Sequence, residues 1–148
     1  MNCHLFWDYD ITKGRTYQYF KGKPLYAFGY GLSYTSFSYS NLAIVNKDET
    51  IAVSFQVKNS GKRDGDEVAQ VYVQLPESDI PMPIKQLKGF KRKNILHGTT
   101  ESFEIEIEKS QLRYWDEPSS KFVTPKGRYT FMVGASSDDI RLKKFVDL

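Results

Sequence analysis

Alternation of apolar and polar residues is the clearest pattern along the chain. From Ser102 to Glu108 it runs without interruption, with Phe103, Ile105 and Ile107 on one side and glutamates on the other. A period of two puts successive side chains on opposite faces of a strand, so the three apolar residues face a core and the acids face water. The same pattern groups Ile51, Val53, Phe55 and Val57, then Ala69, Val71, Val73 and Leu75, then Tyr129, Phe131, Val133 and Ala135. Phe37, Tyr39, Leu42 and Ile44 open the series, and the slip between Tyr39 and Leu42 predicts a bulge near Asn41. Ile140 and Leu142 begin a last strand. Turn signals separate the runs at Asn59-Ser60-Gly61, Asp64-Gly65, Pro81 to Pro83, His97-Gly98, Glu117-Pro118 and Pro125-Lys126-Gly127. Antiparallel strands at this spacing predict an all-β, immunoglobulin-like β-sandwich of about seven strands.

Helix is scarce. One turn around Ser110 to Tyr114 is expected, capped by Ser110, with Leu112 and Trp115 tucked under a sheet edge. Ahead of the strands lies an irregular arm, in which Arg15 to Phe37 read RTYQYFKGKPLYAFGYGLSYTSF. Its rings follow neither a helical nor a strand period, and they carry more apolar surface than a solvated segment should, so the arm is expected to be covered. The chain therefore divides into an arm, residues 1–32, and a sandwich, residues 33–148. The inward apolar set of the sandwich is large enough that it is expected to fold alone, and to become more soluble, when the arm is deleted.

Composition changes this picture little. At 148 residues, 40% hydrophobic and 26% charged, the chain has the make-up of one globular domain. Its net charge of +3 is small and the two signs are interspersed, so nothing draws it to nucleic acid or to a membrane. A single cysteine, Cys3, excludes an internal disulfide and leaves the compartment open. The first residues lack a basic segment ahead of an apolar one, so no export signal is expected in this chain.

Candidate chemistry was weighed against simpler readings. Asp64, Asp66 and Glu67 form the densest carboxylate cluster, but the spacing of a calcium loop is absent; loop capping is expected and no metal. The acids sit on outward strand faces or in turns, so no catalytic pair is expected. His97 stands apart from any motif, Cys3 beside His4 belongs to a chain end, and Gly29-Tyr30-Gly31 lacks the rest of a dinucleotide fingerprint. Lys85, Lys88, Lys91, Arg92 and Lys93 surround Phe90 in the most basic stretch. There an edge strand guarded by lysines, with Leu87 and Phe90 buried, is expected in preference to a nucleic-acid surface. Trp7, Tyr9 and Trp115 are the candidates if the chain is instead an autonomous carbohydrate-binding module that stacks rings on sugars.

Several segments in order, Gly14-Arg15-Thr16-Tyr17, Tyr19-Phe20, Pro24 to Tyr34, Lys58 to Val68, Gln86 to Arg92, Gly127 to Gly134 and Ser136 to Leu142, give the chain a family likeness. From Asp8 to Leu148 it resembles the C-terminal part of glycoside hydrolase family 3 enzymes, the β-glucosidase and β-xylosidase family, where such a stretch ends in a fibronectin type III-like domain. One departure is Ala27, where the family pattern usually has proline. The resemblance implies a non-catalytic domain without a cofactor that docks on and stabilises the catalytic domains of a β-glucoside or β-xyloside hydrolase. The family's nucleophile and acid/base precede the matched segment. Tyr17, Tyr19, Phe20, Leu25, Tyr26, Phe28 and Tyr30 are then the docking residues. Without its partner the arm is expected to be mobile or to drive self-association. A periplasmic or secreted parent is in keeping with the family.

Overall fold

The computed structural model describes residues 10–78 and 80–148; Cys3, His4, Trp7 and Tyr9 lie outside the described residues. Nine strands are present among them: β1 (Phe37–Asn46), β2 (Thr50–Asn59), β3 (Gly65–Gln74), β4 (Gln86–Ile95), β5 (Thr100–Glu108), β6 (Tyr114–Asp116), β7 (Lys121–Val123), β8 (Arg128–Gly134) and β9 (Ile140–Asp147). Seven of them build two antiparallel sheets, β1-β2-β5 and β4-β3-β8-β9, and β6 pairs only with β7. The chain thus forms the expected sandwich, with one short hairpin added between β5 and β8.

Register follows the alternation. Ile51, Val53 and Phe55 of β2 lie opposite Ile107, Ile105 and Phe103 of β5, so the centre of one face of this sheet is apolar. The Phe55 and Phe103 rings stack at 5.3 Å, and Tyr39 of β1 extends the stack at 6.0 Å from Phe55. Opposite them, Ala69, Val71 and Val73 of β3 and Tyr129, Phe131 and Val133 of β8 complete the core. The predicted bulge is there: pairing of β1 with β2 slips between Ser40 and Ala43, with Asn41 at φ 56°. Tyr129 opens β8 by donating its hydroxyl to the Pro125 carbonyl at 2.5 Å, a tyrosine corner that fixes how the chain enters the strand. Burial pushes its phenol up to about 12.

One buried polar residue ties several elements together. Asn59, at the end of β2, donates to the carbonyls of Arg63 (2.7 Å) and Ile95 (2.9 Å) and accepts from Thr35 Oγ1 (2.7 Å) and the Gly61 amide (3.1 Å). Its amide is fully satisfied, which is why an asparagine is tolerated with no exposure at all.

Four expectations are corrected. Ser110 does not cap its turn: Ser110 Oγ instead donates to Glu108, and the 3-10 turn Lys109–Leu112 has no side-chain cap. Leu112 is buried there, but Trp115 is half exposed, because it rides on β6 beyond the sheet edge. Phe90 is 66% exposed, pointing away from the core on edge strand β4. Glu67 is no solvated loop acid but a buried residue of β3, where its carboxylate accepts from the Tyr39 hydroxyl at 2.6 Å. Arg141 of β9 lies 3.9 Å from Glu67, packs over the Tyr39 ring, donates to the Phe37 carbonyl and pairs with Asp139. This cluster bridges the open edge between the two sheets.

Two outcomes are expected. Asn59→Ala strands the Ile95 carbonyl in a buried site and removes a partner from the Arg63 carbonyl and the Thr35 hydroxyl, while the Gly61 amide keeps Ser36; it is expected to cost about 1–3 kcal/mol, read from chemical denaturation. Glu67 has its carboxyl pushed above the usual 4.5, chiefly by burial, with Tyr39 and Arg141 opposing and Asp139 adding to the rise. A carboxyl raised in the folded state supports folding fully below its unfolded value, and that support is lost as pH climbs through the raised one. Glu67→Gln keeps an acceptor for Tyr39, so it is expected to melt higher than the parent at pH 7 and equally at pH 4. A lower melting point at pH 7 would show that the attraction of Arg141 outweighs burial.

Candidate docking surface on the arm

The outward positions of β3 and β8 carry residues that a water-facing sheet would not need. Tyr72 is fully buried, and Gln70, Thr130 and Met132 nearly so, although they alternate with the core set. The arm meets this face. Tyr17 stands edge-on to Tyr72 at 6.1 Å and stacks on Phe28 at 4.1 Å. Its hydroxyl accepts from the Leu87 amide of β4 at 2.9 Å, and the Gln18 carbonyl accepts from the Ile84 amide at 2.6 Å.

A polar socket holds the turn at Phe28-Gly29. The Ser137 amide donates to the Phe28 carbonyl at 2.9 Å, and Gln70 Nε2 donates to the carbonyls of Gly29 (3.1 Å) and Ala135 (2.6 Å). Gln70 Oε1 accepts from the Tyr72 hydroxyl at 2.5 Å. Burial raises the Tyr72 phenol well above its ordinary value, so it stays a donor at any pH the domain meets. Gly29 sits at φ 77°, and a Cβ there would fall 2.1 Å from Gln70 Oε1; only glycine fits both the backbone and the contact.

The arm is therefore two-sided, and the seven sequence-named residues divide between its sides. Tyr17 and Tyr19 are half-buried and Phe28 spends one face on Tyr17. Burial, then the nearby Asp10 carboxylate, raises the Tyr19 phenol. Leu25 is 91% exposed and Tyr26 69%, and Tyr26 and Tyr30 contact each other at 5.3 Å while both face outward. Phe20 is also exposed and lies across Gly22. Between Ile11, Phe20, Pro24 and Tyr26 runs an apolar groove, at whose margin Thr16 Oγ1 is buried with no hydrogen-bond partner among the described residues. Sequence reasoning missed Leu32 and Tyr34, which are about as exposed as Leu25, and it missed the socket residues Gln70, Tyr72 and Ser137. The signal for the socket was present: a tyrosine and a methionine at outward positions of central strands mark a face that something covers.

The candidate acids do not converge. Asp64 accepts from the His97 amide, Asp66 pairs with Arg92 and Asn94, and Glu67 is occupied by Tyr39. Among the described residues no three metal-ligating side chains come together, and no helix is long and apolar enough to cross a membrane.

Comparison with known proteins agrees with this architecture. A family profile described as the fibronectin type III-like domain matches residues 67–137, from within β3 to the turn after β8. The family 3 β-glucosidase BoGH3A of Bacteroides ovatus is 37% identical over 137 residues, covering 89% of this chain and 18% of its own length. The sandwich is a fibronectin type III-like domain of the glycoside hydrolase family 3 kind. The thermostable β-glucosidase B of Acetivibrio thermocellus is 36% identical across 88% of this chain. Among solved structures, the domain superposes on β-glucosidase 3B of Thermotoga neapolitana with a TM-score of 0.82 at 39% identity, over 88% of this chain and 18% of that one. DesR, a β-glucosidase from Streptomyces venezuelae, gives 0.84 at 34% identity, over 89% and 18%. The chain spans between 18% and 20% of the length of curated relatives such as these.

Gly29→Ala is expected to expel the Phe28-Gly29 turn from its socket, at a cost of about 1–3 kcal/mol. Hydrogen exchange should show the Ser137 and Leu87 amides losing protection together while the β2 and β5 amides keep theirs.

Proposed function

We propose that this chain is the non-catalytic, C-terminal fibronectin type III-like domain of a family 3 glycoside hydrolase, and that it docks on and stabilises the enzyme's catalytic domains. One observation carries the reading. The sandwich spends a glutamine, a tyrosine and three backbone donors on holding the arm, yet leaves Leu25, Tyr26 and Tyr30 turned to solvent. A backbone tied down at Gln18, Phe28 and Gly29 has given up part of its freedom in advance, which lowers the cost of binding through the rings it carries. The unpartnered Thr16 hydroxyl beside an apolar groove adds a polar group that a docked neighbour would satisfy.

In this reading residues 1–32 are an element shared between two bodies and residues 33–148 are the platform. The relatives named above are β-glucosidases, which favours β-glucosides over β-xylosides as the parent's substrate. At high concentration an isolated chain would associate with itself through the same outward rings; dilution keeps it monomeric. Deleting the arm carries a cost beyond lost docking, because Tyr72, on which Tyr17 packs, would meet water.

The test is a chimera in which this chain replaces the matching segment of the Bacteroides ovatus enzyme. Serine at positions 25, 26 and 30 together is expected to cost about 2 kcal/mol or more of docking free energy. The chimera should melt lower and lose aryl β-glucosidase activity sooner on heating, while the isolated chain melts unchanged. A chimera indifferent to the three substitutions, or an isolated chain that binds insoluble glucan tightly, would refute docking as the role.

A further inference from the structure

We infer that the β6–β7 hairpin is a second anchor for the same catalytic body, gripping it through Trp115 and Phe122; the inference rests on the docking reading above. The hairpin pairs with neither sheet of the sandwich. Its register sets Tyr114 opposite Val123 on one face and Trp115 opposite Phe122 on the other. Tyr114 and Val123 are half-buried, whereas Trp115 is 50% and Phe122 67% exposed, with their rings edge to face at 5.2 Å. An exposed ribbon face is ordinarily polar, and a two-stranded ribbon is marginal by itself. This one instead turns its most apolar pair outward.

The ribbon is nonetheless held in place. Buried Leu112 roots it in the core, and the Asp116 carboxylate accepts from the Ser119 amide at 3.1 Å to close its turn. Its root also meets the arm's platform. Lys88 Nζ donates to the Gln111 carbonyl at 2.5 Å, and the preceding residue, Leu87, donates its amide to Tyr17 of the arm. Arm and hairpin are thus attached to consecutive residues of β4.

The size of the patch selects the occupant. Two rings fall far short of the ~800 Å² per partner that an independent protein interface needs, but they suit the margin of a larger one. About four-fifths of each matched relative lies outside the segment this chain covers. The catalytic body of the same polypeptide, already placed against the arm, is the occupant that adds no second partner. A pocket of aliphatic or aromatic side chains on it would take the Trp115 indole.

Hydroxyl-radical labelling read by mass spectrometry tests this, comparing the isolated chain with the same chain in the Bacteroides ovatus chimera. Labelling of Trp115 and Phe122 is expected to fall about fivefold or more in the chimera, as for rings from which an interface excludes water. Tyr26 and Tyr30 are read in the same samples. If they are protected while the hairpin rings label as in the free chain, the second anchor is wrong and arm docking stands. If neither pair is protected, both fall. Trp115→Ser with Phe122→Ser should lower the melting temperature of the chimera by clearly more than that of the isolated chain, which loses only the contact between the two rings; an equal drop in both would overturn the inference. Retention of the isolated chain on insoluble glucan, lost in this double variant, would assign the rings to sugar and overturn the inference.

Discussion

Burial of the central strands β3 and β8 on both faces is the constraint on which the rest of the molecule depends. One face meets the apolar side of β2 and β5 in the ordinary manner of a sandwich. The other face, with Tyr72, Gln70 and Met132, is shut away from water as well, and the arm reaches it through Tyr17 and Phe28. A strand buried on one side tolerates a polar residue at every second position. Once both sides are covered, each polar atom needs a partner, and Gln70 with the Tyr72 hydroxyl meets this need by capturing the carbonyls of the arm's own turn.

Polar groups of this kind occur where separate parts of the chain must be registered against one another. Asn59 joins the end of β2, the following loop, the end of β4 and, through Thr35, the residues that lead into β1. Glu67, Tyr39 and Arg141 join β3, β1 and β9 across the open edge. Apolar contacts would hold these elements together in many nearby positions; directional hydrogen bonds in a dry setting select one. The arm is held to the sheet by the Tyr17 ring and the Phe28 carbonyl, while Leu25, Tyr26 and Tyr30 are left over and the Phe28 ring, stacked on Tyr17, keeps one face exposed. That division of labour is what supports the docking proposal.

Much of this was legible beforehand. The strands, the bulge at Asn41, the edge character of β4 and the seven-strand sandwich follow from period-two patterning and turn residues, which act between close neighbours in sequence. The aromatic arm was also visible as surface in need of cover, and the order of its motifs led to the family. Besides the Ser110 cap, what failed were three readings of which side is wet. Phe90 and Trp115 were placed inside because apolar residues usually are, and Glu67 outside because acids usually are; the edge of β4, the projecting β6–β7 ribbon and the gap beside Arg141 reverse all three.

Taken by itself, the sequence determined the class of fold, the inward residues of the main strands and the family, because alternation and turn chemistry are properties of neighbouring residues. Only the tertiary structure decided which arm rings turn inward and which remain free, and why position 29 must be glycine. Those outcomes depend on Gln70, Tyr72, Leu87 and Ser137, which stand some forty to over a hundred residues further along the chain and approach the arm only after the two sheets have closed.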